Sequence, residues 1–492
     1  METNLTRFRN VGLVAAGVGL LPIFAIAQDA TVPLAPAAST ALSSGVTSSG
    51  VTSPYPSPND TPPAPQNLPE GSDGFLSRLR AEDVLKYDWG KLQIKPHFSS
   101  TIFVTDNFQY RESKYAASDE IVSISPGFQV LYGSQDYNHV LFDYSHDQVL
   151  YLSHANFDTS QDHLKLSDQI TYNRWALTGT DQIDFLSSFV GVANLQRTIL
   201  INRQQWVDDY RLVLDASTRF RPYVEAYHSE LKYDPNSGFY SDQLLRGKLG
   251  TSYTLTSRVN LFYDLYYGQE SPSKTASFQA PVFYNTILGT SVGATGEFTT
   301  RLNGTIRFGY ENRSVPNNPL VHDRGSPTVE LDLTYVPSYY NQVVLSVARY
   351  TFVSTTSPTT SVGNRLNLTG TQYLTSDLKW AVQLTAGATL TDYTDTVVGP
   401  LLVPFPIHTP SGDGTVSLFS IAHTGRNDQV YDLGLNLNYA PNRWLKVTVG
   451  IAFEDYSLSY RDRVYTLFND SQTVGLKPYQ AKSVLMQFSI GF

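Results

Sequence analysis

Apolar side chains recur at every second position along most of this chain, from about residue 91 to its last residue. In the stretch RWLKVTVGIAF, one face of an extended strand would carry Leu445, Val447, Val449, Ile451 and Phe453. The same alternation recurs in RLNGTIRFGYE, VYDLGLNLNY and VNLFYDLYYG. Period-two alternation indicates β-strands, so it predicts an all-β fold for this region.

The predicted strands are long and number about eighteen, within a range of about 16–20. Short connections, such as one predicted at residues 178–180, alternate with longer ones, such as those at residues 395–426 and 461–477. A strand crosses a bilayer with about 9–11 residues, and membrane barrels join such strands by alternating short turns and long loops. The pattern therefore predicts a single transmembrane antiparallel β-barrel. Around residues 161–177 the alternation changes phase, which leaves the facing of that strand open.

A secreted β-solenoid or a set of β-sandwiches is the soluble alternative. Solenoids show self-similar repeats of about 20–30 residues, and the chain shows no such repeat beyond its hairpin spacing. Strands of sandwiches are also shorter than the strands predicted for this chain. The pattern favours the barrel.

Composition agrees with a β-structure that has one apolar and one wet surface. Aromatic residues make up 13% of the chain and charged residues only 16%, against roughly a quarter in typical soluble domains. Tyrosine, of which there are 32, favours strands and interfaces. Cysteine is absent, which excludes disulfides and thiolate sites. The net charge of −9 argues against nucleic acid as a partner.

The N-terminal residues predict export and a domain order. Residues 1–27 combine Arg7 and Arg9, an apolar run, and Ala25-Ile26-Ala27, which is the pattern of a cleavable signal peptide. Residues 28–74 are rich in Pro, Ser, Thr and Ala, which predicts a disordered linker. Residues 75–90 form a short lead-in whose helical character is left open, and residues 91–492 form the barrel.

The strand positions opposite the apolar faces would line the interior. The predicted interior residues are charged, and they are Asp143, Glu225, Arg246, Lys248, Asp264, Arg301, Arg307, Glu330, Asp332, Asp432, Lys446 and Glu454. Charges of both signs on one wall either pair across strands or set up a field that selects solutes. A barrel of this size leaves an aqueous channel unless something fills it.

Catalysis, cofactors and metals are not expected. Ser145, His146 and Asp147 are adjacent, but neighbouring strand residues point to opposite faces, so they cannot form one catalytic set. The loop that contains Asp234 and Asp242 offers oxygen ligands for calcium, but its Asp-Pro-Asn-Ser-Gly sequence is first of all that of a turn.

The last strand carries a recognisable signature. Its outward face would hold Val484, Met486, Phe488, Ile490 and Phe492, and a final Phe after alternating apolar residues resembles the C-terminal signature of bacterial outer-membrane barrels. The resemblance implies recognition by the barrel-assembly machinery. The segments Thr105-Asp106-Asn107 and Ile124-Ser125-Pro126-Gly127 also resemble the β-barrel porin 2 group, which includes outer-membrane proteins encoded beside exopolysaccharide export genes.

The sequence therefore predicts a protein of the outer membrane of a Gram-negative-type bacterium, in contact with its lipid and lipopolysaccharide. The expected activity is that of a passive porin-like channel for small hydrophilic solutes, with saccharide or exopolysaccharide passage and polysaccharide-export partners as the finer expectation. A non-conducting structural or adhesive barrel that acts through its external loops is the alternative. The proline-rich run at residues 397–406 either folds inward as a constriction or stays a surface loop.

Overall fold

The computed structural model describes residues 87–108, 116–134, 138–188, 201–234, 241–273, 284–315, 323–353, 360–393, 403–409, 412–418, 426–442, 445–460 and 479–490. Nearly all of these residues lie in β-strands, and a 3₁₀ turn, Ala155–Phe157, is the one helical element among them. No helix in this part of the chain has the length and apolar character that crossing a bilayer requires.

The strands follow one another along the chain with these bounds: β1 (Tyr87–Trp89), β2 (Leu92–Thr105), β3 (Asp119–Gly133), β4 (His139–Tyr151), β5 (Thr159–Tyr172), β6 (Trp175–Ser188), β7 (Ile201–Leu214), β8 (Phe220–Tyr233), β9 (Ser241–Thr254), β10 (Val259–Ser273), β11 (Asn285–Thr299), β12 (Leu302–Ser314), β13 (Arg324–Ser338), β14 (Asn341–Val353), β15 (Thr360–Tyr373), β16 (Trp380–Tyr393), β17 (Val403–Thr409), β18 (Gly412–Leu418), β19 (Arg426–Asn442), β20 (Leu445–Tyr460) and β21 (Tyr479–Ile490).

Eighteen of these strands, β2 to β16 and β19 to β21, form one closed antiparallel sheet. Each strand pairs with its neighbours in chain order, and β21 returns to pair with β2, with Phe98 opposite Ile490 and Thr105 opposite Ser483. Closure removes the open edges that would otherwise leave backbone groups unpaired. The prediction of an all-β barrel of about eighteen strands is confirmed.

Asp106 and Asn107 extend this closing seam beyond the end of β2. The Asp106 side chain accepts a hydrogen bond from the backbone nitrogen of Lys482 at 2.7 Å, and the Asp106 nitrogen donates to the Lys482 carbonyl at 3.1 Å. Asn107 Nδ2 donates to the carbonyl of Gln480 at 3.1 Å. The Thr105-Asp106-Asn107 segment that stands out in the sequence therefore ties the first barrel strand to the last.

The turn between β5 and β6 lies earlier than the sequence predicts. Residues 178–180 lie inside β6, and the chain reverses at Asn173, whose φ is +52°. Asparagine tolerates this left-handed conformation better than most residues. Tyr172 and Trp175 pair across the turn, so aromatic residues continue on both sides of it and conceal the reversal in the sequence pattern.

Two further segments refine the expected domain order. Residues 87–89 of the lead-in are extended rather than helical, because β1 pairs with the start of β2 through a turn at Gly90, whose φ is +66°. Within residues 395–426, β17 and β18 form a separate two-stranded sheet. Residues 1–86 and 461–478 lie outside the described residues, and with them the predicted signal peptide, linker and second long loop.

The two faces of the barrel wall differ in chemistry. Val224, Leu249 and Leu265 are neighbours across β8, β9 and β10 and point outward, with Leu249 61% exposed. Glu225 and Lys248, one residue away in the same strands, point inward and are paired with each other. At this level of the wall, alternation along the strands thus places apolar side chains outside and charged side chains inside.

Inward aromatic rings lie against the wall instead of projecting from it. The Tyr266 ring covers Gly289 on the next strand, where a Cβ atom would clash with the Cζ and hydroxyl of that ring. Tyr223 covers Gly250 in the same way. Glycine is needed at these positions because any side chain would push the ring toward the interior.

Closure can be tested with a single disulfide, since the chain has no cysteine of its own. Ser99 and Ser489 are Cα partners across β2 and β21, and neighbours of this kind lie within disulfide range. We expect Ser99→Cys with Ser489→Cys to oxidise to a looped chain, visible as a mobility shift on a denaturing gel that reduction reverses. The control is Ser99→Cys with Ser252→Cys, because Ser252 lies in β9, which pairs with β8 and β10. Equal cross-linking of both pairs would contradict the closure.

Candidate functional site: the inner wall

Eleven of the twelve predicted interior residues occupy inward positions of the barrel strands: Asp143, Glu225, Arg246, Lys248, Asp264, Arg307, Glu330, Asp332, Asp432, Lys446 and Glu454. Arg301 does not, since it lies in the exposed turn between β11 and β12. Its assignment to the wall is therefore wrong. The alternation in the sequence runs on through this turn, so the pattern alone does not mark where β12 begins.

A cluster of paired charges lies midway along the wall of β8 to β13, and we call it the mid-wall cluster: Glu225, Lys248, Asp264, Arg307 and Glu330. Lys248 donates to Glu225, and Arg307 donates to Glu330 Oε2 at 2.6 Å. Arg307 also lies 3.8 Å from Asp264, whose side chain is 1% exposed. Each buried charge therefore has an opposite charge beside it, as burial requires.

Arginines of this wall stack on the aromatic rings that lie flat against it. Three guanidinium groups are placed in this way: Arg211 lies 3.8 Å from the Tyr223 ring centre, Arg246 lies 4.9 Å from that of Tyr227, and Arg307 lies 5.0 Å from that of Phe262. A cation over a ring face is attracted by the quadrupole of the ring. Stacking holds the arginines along the wall and so limits how far they reach into the interior.

A second cluster, which we call the mouth cluster, lies near the ends of β10, β12 and β14 that lead into longer connections: Glu270, Glu311, Arg313 and Thr351. Arg313 pairs with Glu270 and donates to Glu311 Oε1 at 2.8 Å and to Thr351 Oγ1 at 2.7 Å. Arg313 is 3% exposed and Glu270 is fully buried. This guanidinium is therefore the centre of a buried network that joins three strands.

The remaining wall is polar and more open. Asp143 accepts hydrogen bonds from His97 Nε2 at 3.2 Å and from Gln129 Nε2 at 3.3 Å. On β20, four strands away around the ring, Glu454 accepts one from the Tyr479 hydroxyl at 2.7 Å. A solute on this wall would therefore meet many hydrogen-bonding groups.

The adjacent Ser145, His146 and Asp147 are split between the faces. Ser145 and Asp147 point inward, and Asp147 lies 3.5 Å from His163. His146 points outward and contacts Asp162. The three residues therefore do not form one catalytic set.

The part of the chain that the structure describes holds no group of three or more His, Cys, Asp or Glu side chains that could bind a metal ion. Asp242 lies in β9, and residues 235–240, which separate it from Asp234, lie outside the described residues.

The mouth cluster and Arg211 are absent from the set predicted from the sequence. The period-two rule could have included Glu311 and Arg313, which lie on the same face as Arg307 in β12. Their role as a network could not have been found in this way, because Glu270 and Thr351 lie in other strands.

No family model matches this chain, and no curated protein matches it in sequence. Solved structures that are similar include the siderophore receptor PirA from Pseudomonas aeruginosa, at 12% identity over 80% of each chain and a TM-score of 0.36. The FrpB iron transporter from Neisseria meningitidis has 9% identity over 81% of each chain and a TM-score of 0.40. Likenesses this weak carry no functional inference, so function rests on the residues of this chain.

Proposed function

We propose that this chain is an outer-membrane β-barrel that serves as a passive channel for small hydrophilic solutes. The observation that carries the proposal is the reversal of chemistry across one closed wall, from outward leucine, valine and tyrosine to inward paired charges. Only a surrounding apolar phase makes such an outer face favourable, since so much apolar area in water promotes aggregation.

The dimensions of the wall support a membrane location. The barrel strands run from 12 to 17 residues, and about 9–11 tilted residues cross the hydrocarbon core. The residues proposed to signal barrel assembly lie in β21, where Val484, Met486 and Phe488 are exposed on the outer face and Ile490 pairs with Phe98. Phe492 lies outside the described residues. Export through the proposed signal peptide would bring the chain to this membrane and to its lipopolysaccharide.

The inner wall supports passage instead of tight binding. Barrels of about 16–18 strands leave an aqueous channel. The mid-wall cluster holds its charges in pairs, and the stacked arginines lie along the wall. A hydrated wall of this kind lets small polar solutes pass without a deep energy well.

Conductance of the refolded protein in a planar lipid bilayer tests the proposal. We expect stable, voltage-independent open steps whose size rises with salt concentration. The control is protein that has been unfolded and not refolded, which should give none. Silence from protein that gel mobility shows to be folded would contradict the channel and favour a structural or adhesive barrel.

Saccharide passage is the finer part of the proposal, and it is supported by the resemblance of two short segments to the β-barrel porin 2 group. Oligosaccharides of increasing length, added to one side of the same bilayer, should interrupt the current while they occupy the channel. Currents that no saccharide changes would contradict this part and leave the channel itself standing.

A further inference from the structure

One edge of the barrel carries a series of exposed basic residues. Nine of the eighteen barrel strands begin at this edge, which holds the short turns. In six of them the residue directly before the strand is lysine or arginine, and we call these six the basic rim: Lys91, Arg174, Arg219, Arg258, Arg301 and Lys379. All six are exposed. They precede β2, β6, β8, β10, β12 and β16, so they are spread over much of the circumference.

The basic rim has few acidic neighbours. Two acidic residues lie in the turns that contain it: Asp377 is 3.1 Å from Lys379, and Asp215 is 2.8 Å from Arg221 of β8, which is not part of the rim. Four rim members have no ion-pair partner among the residues that the structure describes: Lys91, Arg174, Arg219 and Arg301. The chain as a whole has a net charge of −9, so this edge is opposite in sign to the rest.

Aromatic rings on the outer face lie beside the basic rim. Three rim members directly precede an exposed aromatic residue, in the pairs Arg174-Trp175, Arg219-Phe220 and Lys379-Trp380. Trp380 stacks on Tyr439 of β19 with 4.2 Å between the ring centres, and Trp175 is opposite the exposed Tyr172. Outward aromatic rings at the edge of a membrane barrel lie at the level of the lipid head groups. The basic rim is therefore at or just beyond that level.

Lysine and arginine can reach lipid head groups from such a position. Their aliphatic stems lie along apolar surface while the charged ends stay in the polar layer. The head group of an anionic phospholipid offers phosphate oxygens, which accept hydrogen bonds from guanidinium and ammonium groups. A basic residue near an anionic lipid surface strengthens association by a factor of about five.

We infer that the basic rim binds the head groups of anionic phospholipids in the leaflet on the side of the short turns. The inference rests on the membrane location that is part of the proposed function. Short turns of outer-membrane barrels face the periplasm, so the leaflet concerned is the periplasmic one. The contact would fix the height of the barrel in the bilayer from this side, together with the aromatic rings.

The distribution of the basic rim favours lipid over other anionic partners. A periplasmic protein that docks on one side of the barrel would meet only part of a rim that extends from β2 to β16. An anionic solute in the channel would meet the inner wall, whereas three rim members are joined to rings on the outer face. The lipid that surrounds the barrel meets the whole rim.

Quenching of tryptophan fluorescence by brominated lipids tests this inference. Trp175 and Trp380 report on lipid at the rim, and Trp206, which lies closer to the other edge, is replaced by phenylalanine. The refolded protein is placed in vesicles of equal parts phosphatidylcholine and phosphatidylglycerol, with one lipid or the other brominated. We expect phosphatidylglycerol to associate about fivefold more strongly, and 1 M salt to remove most of the difference. Equal quenching by the two lipids at low salt would overturn the inference.

A triple variant locates the preference at the rim. Arg174→Gln, Arg219→Gln and Lys379→Gln together should lower the association ratio at least twofold. All three residues lie in exposed turns, so the barrel should still fold, which gel mobility checks. Arg174→Gln alone, directly before Trp175, should give a smaller decrease and serves if the triple variant does not fold. Retention of the full preference in the folded rim variants would overturn the inference.

The matched control removes three positive charges from the inner wall: Lys165→Gln, Arg203→Gln and Arg365→Gln. It should keep the lipid preference, because these side chains do not meet lipid. An equal loss in the control and in the rim variant would overturn the assignment to the rim. Conductance separates this inference from the proposed function: a conducting barrel without lipid preference overturns the role of the rim alone, and a silent, folded barrel with the preference overturns the channel alone.

Discussion

Replacement of Arg313 by methionine is expected to lower the free energy of unfolding by about 3–5 kcal/mol, because it leaves buried carboxylates without a counter-charge. Arg313 pairs with Glu270 and Glu311 and also donates to Thr351. The guanidinium holds β10, β12 and β14 together in one network, so its loss acts on three strands. The change can be measured as a lower guanidinium chloride midpoint for folding into lipid vesicles, followed by tryptophan fluorescence.

Arg301→Met is the matched control, since the same chemical change is made in an exposed turn between β11 and β12. It should change the free energy of unfolding by less than about 0.5 kcal/mol. Arg313→Lys should fall between the two, because it keeps the charge but loses the planar array of donors. Equal midpoints for Arg313→Met and Arg301→Met would show that the mouth cluster does not support the fold.

Leu435→Arg is expected to make the free energy of folding into a bilayer less favourable by about 2–4 kcal/mol, which is the cost of a cation on the lipid face near the midplane. Leu435 lies near the middle of β19, is 44% exposed and sits between the outward Leu384 and Ile451. The destabilisation should be measurable in folding titrations into vesicles. The same substitution at outward positions closer to the ends of the strand should cost less free energy.

Asn436→Arg provides the matched control, one residue along the same strand. Asn436 points inward, where Gln383 and Gly450 are its neighbours in the register. Its replacement by arginine should leave the folding midpoint nearly unchanged, because the interior is hydrated. If both variants fold equally well into lipid, the outer face is not in hydrocarbon and the membrane location fails.

For most strands, the sequence predicts which side chains face inward and which face outward, because the side chains of a strand alternate with a period of two. In β12, for example, Phe308 and Tyr310 face outward and Arg307 and Glu311 face inward, as the alternation predicts. The same rule fails at the turns. Tyr172 and Trp175 pair across a two-residue turn and share a face, so the apolar phase shifts there by one residue with no polar run to mark the reversal. Arg301 keeps the phase of β12 although it lies in the turn.

The sequence by itself determined the all-β class, the strand number near eighteen and the inward or outward phase of most residues, because those depend on local alternation. Only the tertiary structure decided which residues meet across strands. Arg313 meets Glu270 and Thr351, which are 43 and 38 residues away in the chain. Asp208 on β7 meets His228 on β8, and both side chains lie on the outer face. Contacts of this kind depend on the register and closure of the whole ring, and no local pattern specifies them.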